Sequence, residues 1–345
     1  MPAINEFLIK ASTTGAMRPM TGHNHVRHWF AIVLSISFAM STKAQEFADI
    51  PIIDTHIHLY DTNRPRGLPW PPKSDKVLYR PVLTQDFDAV AEENGITATV
   101  IVEASEWLDD NQWVLDLVKH DPARYIGLVG SLPIGTSGFV ENLETLSRDK
   151  RFVGIRLRER PRGEGFFNEA VWRDLKVLAS LDQTLDVLMF QYSLEDVDMI
   201  AKRVPNLKIL MNHVAGADIE GTQAGSLWVK GVDKAASNPN VYCKISGLFQ
   251  QSHRSPSPKR LAFYAPVLDE LWTAFGEDRL IYGSNWPVTM KGGDYASYKT
   301  IVMEYFSVKG RLALEKLFYR NALEFYGLPP LETRGLDHNS SSRQQ

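Results

Sequence analysis

Ile52-Ile-Asp-Thr-His-Ile-His58 alternates side chains two by two: Asp54, His56 and His58 fall on one face, Ile53, Thr55 and Ile57 on the other. Residues two apart on a strand share a face, so the segment predicts a strand whose polar side looks into something other than packed hydrocarbon. Similar short runs follow at Thr97–Ala104, Tyr125–Leu132, Phe152–Arg158, Thr184–Phe190, Lys208–Val214, Val241–Gly247 and Arg279–Asn285, which makes eight candidate strands. Helical spacing lies between them, at Gln85–Asn94, Trp113–His120, Val171–Leu181 and Leu261–Phe275, with Gly95, Pro122, Pro205 and Gly276 as stops. Strands alternating with helices pair in parallel, and eight of them close most economically into a single (β/α)8 barrel of the TIM type. The alternative is an open doubly wound sheet, but no Gly-x-Gly-x-x-Gly opens a helix after any strand.

Parity then assigns polar groups to the barrel interior. Gly154, Arg156 and Arg158 alternate with Val153, Ile155 and Leu157; Tyr242, Lys244 and Ser246 alternate with Val241, Cys243 and Ile245; Glu103 shares a face with Thr99 and Ile101. Charged groups among such apolar neighbours must be paired or face a wet cavity. Both readings stand at this stage: an internal salt-bridge network, or a polar rim around a binding site. Two imidazoles one strand repeat apart, His56 and His58, reach one ion or one substrate, and His213 ends the sixth strand near the same rim. Two long connections, Asp61–Pro81 with Trp70 and four prolines nearby, and Gln250–Lys259, leave the strand ends where such barrels place their chemistry, so both are expected to flank the mouth.

Composition bounds the rest. The chain has 345 residues, 44% hydrophobic, 23% charged and 10% aromatic, which suits a globular domain and excludes a disordered or low-complexity one. With 38 Lys plus Arg against 41 Asp plus Glu, the net charge of −3 provides no field for a polyanion, and nucleic acid is not an expected partner. One cysteine, Cys243, permits neither an internal disulfide nor a cysteine-based zinc cluster, and is read as packing. Near the start, Arg18, Arg27 and His28 precede the apolar run Trp29–Met40 and then Thr42-Lys-Ala-Gln45. This order predicts a cleavable signal peptide over 1–44, cut after Ala44, with Met17 or Met20 as a possible true start and a periplasmic or extracellular destination. The apolar run is short of the roughly 20 residues that span a bilayer, so no membrane association is expected after cleavage. The barrel is expected over 45–327, and the polar stretch 328–345 is expected to be a disordered tail.

Asp54-Thr-His-Ile-His58, Gly154-Ile-Arg156, Asn212-His213, Lys244-Ile-Ser-Gly247 and Tyr282-Gly-Ser-Asn-Trp-Pro-Val288, in this order, resemble the amidohydrolase-related barrels of the amidohydrolase superfamily. The resemblance covers about Ile52 to Tyr326 and is nearest to the lactonase-like branch, with pyrone dicarboxylate lactonase and sugar lactonases. It implies hydrolysis of a lactone or related cyclic ester of a small, anionic or sugar-derived molecule. It further implies His56, His58 and His213 as catalytic histidines that hold one divalent ion such as zinc, or that work in a metal-free site. The family's usual aspartate at the end of strand eight maps onto Asn285, an amide that cannot take a proton at neutral pH. Glu103 or a histidine is then left as the base, while Arg156, Arg158, Gln191 and Lys244 are expected to bind substrate. Nonoxidative decarboxylation, and a binding protein that has lost its base, are the alternatives; the sequence leaves the oligomeric state open.

Overall fold

The computed structural model describes residues 47–158, 165–189 and 193–331. The expected signal segment, residues 332–345 of the expected tail, and Gln191 lie outside the described residues.

All eight expected strands form, as β1 (Ile53–Ile57), β2 (Ala98–Val102), β3 (Tyr125–Gly130), β4 (Phe152–Leu157), β5 (Thr184–Val187), β6 (Ile209–Met211), β7 (Val241–Ile245) and β8 (Leu280–Tyr282). They lie in one parallel sheet in sequence order. The two edges meet at a seam: Thr55 Oγ1 donates to the Tyr282 carbonyl at 2.7 Å, and the His58 amide donates to the Trp286 carbonyl at 2.9 Å. Closure leaves no strand edge open, which confirms the (β/α)8 barrel over the open sheet.

Helices follow the strands: α1 (Thr84–Asn94), α2 (Leu108–Leu117), α3 (Phe139–Leu146), α4 (Glu169–Ser180), α5 (Leu194–Arg203), α6 (Ser226–Ala236), α7 (Leu261–Phe275) and α8 (Tyr295–Ser307). Their boundaries follow local chemistry. Asn168 caps α4 by accepting the Ala170 and Val171 amides, Ser193 and Asp196 form a capping box on α5, and Asp294 accepts the Ser297 amide at the start of α8. Helix α2 starts at Leu108, five residues before the expected Trp113, because apolar spacing alone does not mark where the first turn begins.

After α8 the chain passes through α9 (Arg311–Glu315) and a wider turn into α10 (Asn321–Tyr326). Phe325 and Tyr326 pack against Ile53, Ala98, Ile126, Val153, Leu210 and Ile281, all at the N-terminal ends of strands, so α10 stoppers the end of the barrel opposite the mouth. Leu328 and Leu331, which fall in the expected tail, pack on the same cluster, so ordered chain continues past Gly327.

Candidate active site

The inward face of β1 divides between two tasks. Asp54 is fully buried; its Oδ1 accepts the amides of His56 (3.0 Å) and Ser284 (2.8 Å), and its Oδ2 accepts Ser284 Oγ (2.5 Å) and Tyr295 Oη (2.8 Å). It therefore fastens β1 to the segment after β8. Burial raises its carboxyl pKa, and these donors oppose the rise. His56 and His58 come one and two repeats later and meet His213: the His56 ring centroid lies 5.1 Å from that of His58 and 4.6 Å from that of His213. The three expected histidines are thus brought together at the C-terminal ends of β1 and β6.

Each ring is held differently. His58 Nδ1 faces the carbonyls of Val102 (3.0 Å) and Glu103 (3.1 Å); a carbonyl only accepts, so Nδ1 carries the proton. Burial beside Arg156 pushes His58 down to about 3, and the hydrogen bond to the Val102 carbonyl partly opposes the shift. His213 was expected at the end of a strand, but β6 stops at Met211, and His213, Val214 and Ala215 adopt left-handed backbone with φ of 52, 47 and 54°. Such backbone is costly for non-glycine residues and persists where surrounding contacts impose it. Here the His213 amide donates to Ser246 Oγ (3.1 Å), its Nδ1 lies 3.0 Å from the same hydroxyl, and Trp228 Nε1 donates to the Ala215 carbonyl (3.0 Å). Gly247 follows because a β-carbon there would lie 2.8 Å from His213 Nδ1. His56, between the other two, has both ring nitrogens buried and, among the described residues, without a hydrogen-bond partner. Burial, then Lys244 and the neighbouring histidines, hold its pKa well below the ordinary range, so all three rings are neutral at pH 7.

The charged residues of the interior are paired. Glu103 accepts Arg156 Nε at 2.6 Å and Arg158 Nη1 at 3.2 Å, while Arg156 Nη2 also donates to the Glu103 carbonyl at 3.0 Å. Burial pushes the Glu103 carboxyl up against the pull of both guanidiniums. Glu103, expected as a base, is clamped between cations, and Arg156, expected on substrate, is the other half of the clamp. Arg158 is 17% exposed and also reaches Glu106 at 3.5 Å, which leaves it at the mouth. Lys244 is 0% exposed. It gives its ammonium to Asp186 Oδ2 (2.8 Å), the Thr55 carbonyl (2.9 Å) and Tyr326 Oη (3.1 Å), so the expected substrate ligand is an internal cation instead.

Asn285 does reach the site, buried and left-handed at φ 61°, with Nδ2 donating to Gln250 Oε1 at 3.3 Å. The Asp61–Pro81 connection is the expected cover. Trp70 stands edge-on to His58, with centroids 5.4 Å apart, and against Tyr60 at 5.5 Å. The cover is pinned to α2, where Arg64 pairs with Asp110 at 2.6 Å and lies over Trp113, and Arg66 lies over Trp107. A small cavity beside Glu103 is lined by Tyr60, Arg64, Leu68 and Ser105. A larger one of about 560 Å³, lined by Phe152, Gln183, Lys208 and Tyr326, shares no residue with the histidine cluster.

Parity placed Ser246 on the inward face, and the two long connections placed Trp70 and Gln250 at the mouth, but neither reading gave a role to Gly247 or Gly283. At Gly283 a β-carbon would lie 2.8 Å from that of His56 and 3.2 Å from its amide nitrogen, so the glycine lets the chain after β8 approach the backbone of β1 at His56. The signal for the two glycines was a small residue placed where a strand meets its loop, as in Ser246-Gly247 and Gly283-Ser284.

Among the described residues, no group of three or more His, Cys, Asp or Glu side chains stands in metal-binding geometry. A closed parallel barrel with a histidine cluster at the C-terminal rim defines the broad class of barrel enzymes with rim-borne sites. The chain matches the amidohydrolase family model over residues 53–328 and belongs to that family. The L-fucono-1,5-lactonase of Burkholderia ambifaria is 27% identical over 248 residues, covering 71% of this chain and 83% of that protein. The L-fucono-1,5-lactonase of Burkholderia multivorans is 27% identical over 296 residues, covering 82% and 98%. A crystal structure of a Burkholderia multivorans amidohydrolase with bound zinc has the same fold, with a TM-score of 0.72 and 24% identity over 81% of this chain and 100% of that one.

Proposed function

We propose that the protein hydrolyses a small lactone, sugar-derived or otherwise anionic. The observation that carries this reading is His56, whose two ring nitrogens are buried and, among the described residues, unpartnered in the middle of a histidine cluster. Unsatisfied buried polar atoms are uncommon in folded proteins and call for a missing partner. The kinship with two L-fucono-1,5-lactonases supports a cyclic ester as the substrate class.

In lactone opening, water adds to the acyl carbon, the acyl–oxygen bond of the ring breaks, and the ring oxygen takes up a proton to leave a hydroxy acid. The histidines fit a divalent ion by donor chemistry, since neutral imidazoles are the common zinc donors and His58 is anchored through Nδ1 to a backbone carbonyl. His56, His58 and His213 would hold it, and when bound it supplies Lewis-acid polarisation of the carbonyl and a more acidic water. The chain supplies the rest. Asn285, fixed by Gln250, orients water or the ester without taking its proton. Glu103 is committed to Arg156 and Arg158, so without an ion the imidazoles are the proton acceptors among the groups brought to this site, whereas a ring that held an ion would have no lone pair left to accept a proton. Trp70 shields His58 from bulk water, and Arg158 offers a permanent cation to an anionic substrate at the mouth.

The test is acid release from a panel of sugar lactones, L-fucono-1,5-lactone included, followed by pH-stat with added zinc and with chelator. Release that disappears in His56→Ala protein is the expected result. No release from any lactone in either arm overturns the reading. The engagement of Glu103 favours one second reading, nonoxidative decarboxylation, which needs no activated water. Carbon dioxide evolved from unsaturated or aromatic acids would put it first.

A further inference from the structure

We propose that the buried Lys244–Asp186 ion pair is a positioning pair that sets the spacing of His56 and His213. The two side chains reach across the interior from β7 and β5 and are both 0% exposed. Lys244 Nζ donates to the carbonyl of Thr55, the residue before His56. Asp186 Oδ2 accepts Nδ2 of Asn212, the residue before His213, at 2.7 Å. One salt bridge of 2.8 Å therefore ties the backbone behind one ring to the side chain behind the other. Tyr326 of α10 completes the unit, accepting from Lys244 at 3.1 Å and donating to Asp186 Oδ1 at 3.0 Å.

Fold stability does not account for an ion pair at this place. Replacing a buried pair by apolar residues of similar volume is often neutral or stabilising, because desolvating two charges offsets their attraction. An apolar pair would pack the interior yet offer nothing to the Thr55 carbonyl or the Asn212 amide. The directional links are what this pair adds: β6 ends at Met211 and the left-handed turn begins at His213, so the ladder no longer sets the direction of that ring. Asn212 is the last residue before the turn, and its side-chain anchor is Asp186.

The catalytic consequence rests on the proposal that His56 and His213 act together on substrate; the spacing itself is read from structure alone. The test is the full chain carrying Lys244→Met together with Asp186→Leu, examined by thermal unfolding, crystallography and steady-state kinetics. The folded variant is expected to melt at a lower temperature, since the Thr55 carbonyl, the Asn212 amide and the Tyr326 hydroxyl lose these partners, and to show the two ring centroids displaced by about 1 Å or more from 4.6 Å. In that case kcat falls on the order of 100-fold while KM stays within about threefold. A folded variant with the parental ring separation, or with kcat unchanged, overturns the proposal. If the parent opens no lactone, the function reading fails, and the ring separation alone still decides this one. If the double variant does not fold, Asn212→Leu severs only the link to β6. It is expected to move the His213 ring and leave His56 in place, and an unmoved His213 ring overturns the proposal.

Discussion

Ser284 donates two hydrogen bonds to Asp54 across the seam of the barrel, amide to Oδ1 at 2.8 Å and hydroxyl to Oδ2 at 2.5 Å. The carboxylate is thus a fastener between the first strand and the end of the last. Asp54→Ala leaves the donors of Ser284, Tyr295 and His56 buried without an acceptor, each costing about 1–3 kcal/mol. A loss of at least about 3 kcal/mol is expected in urea unfolding, against about 1 kcal/mol for Tyr295→Phe, which removes a single donor.

Gly283 lets the chain after β8 approach β1 at His56. Gly283→Ala places a methyl 2.8 Å from the His56 β-carbon and 3.2 Å from its amide nitrogen, neither of which belongs to a flexible chain end. Stability should fall by about 1–3 kcal/mol, and lactone turnover by about 100-fold as the ring shifts. Unfolding curves and kinetics on one preparation check both; unchanged turnover would show that His56 does not act at the reacting bond.

Glu103→Gln separates a clamp from a base. A clamp that loses its charge leaves Arg156 and Arg158 without their buried counter-charge, and a cost of about 3–5 kcal/mol is expected. A base would lose turnover at nearly parental stability. Chemical denaturation distinguishes the two outcomes.

Zinc binding is checked by thermal shift. An ion held by the three histidines only in the folded state stabilises by about 2.7 kcal/mol at a concentration 100 times its Kd. The rise in Tm is expected to be reversed by chelator and to vanish in His56→Ala. A rise that survives in that variant would place the ion elsewhere.

Trp70→Ala opens the cover above His58 while the Arg64–Asp110 and Arg66–Trp107 contacts that pin the loop remain. Turnover is expected to fall about tenfold or more as water enters, with little change in Tm. A parental kcat with a parental KM would make Trp70 packing alone.

The barrel was legible because its strands announce themselves by alternation and its helices by spacing. His56, His58, Arg156 and Lys244 were placed on inward faces by parity alone. Their partners were not legible. Arg156 meets Glu103 from 53 residues away, and Lys244 meets Asp186 from 58, and no local pattern specifies which buried charges will pair. The same holds for His213: Val214 is β-branched and reads as strand, whereas its left-handed backbone is imposed by Ser246 and Trp228 from other elements.

The seam also sets a timetable. Asp54 and Ser284 are 230 residues apart, and Lys244 waits for a tyrosine 82 residues further on. Contacts of such sequence separation form late and slowly, since the intervening chain must be ordered first. On a ribosome His56 emerges early and its surroundings last, so a nascent chain carries its chemistry unassembled until almost the whole barrel has been made. Ligand binding to this site would therefore report completed synthesis, and a truncation that removes α10 would silence the site from the far end of the barrel.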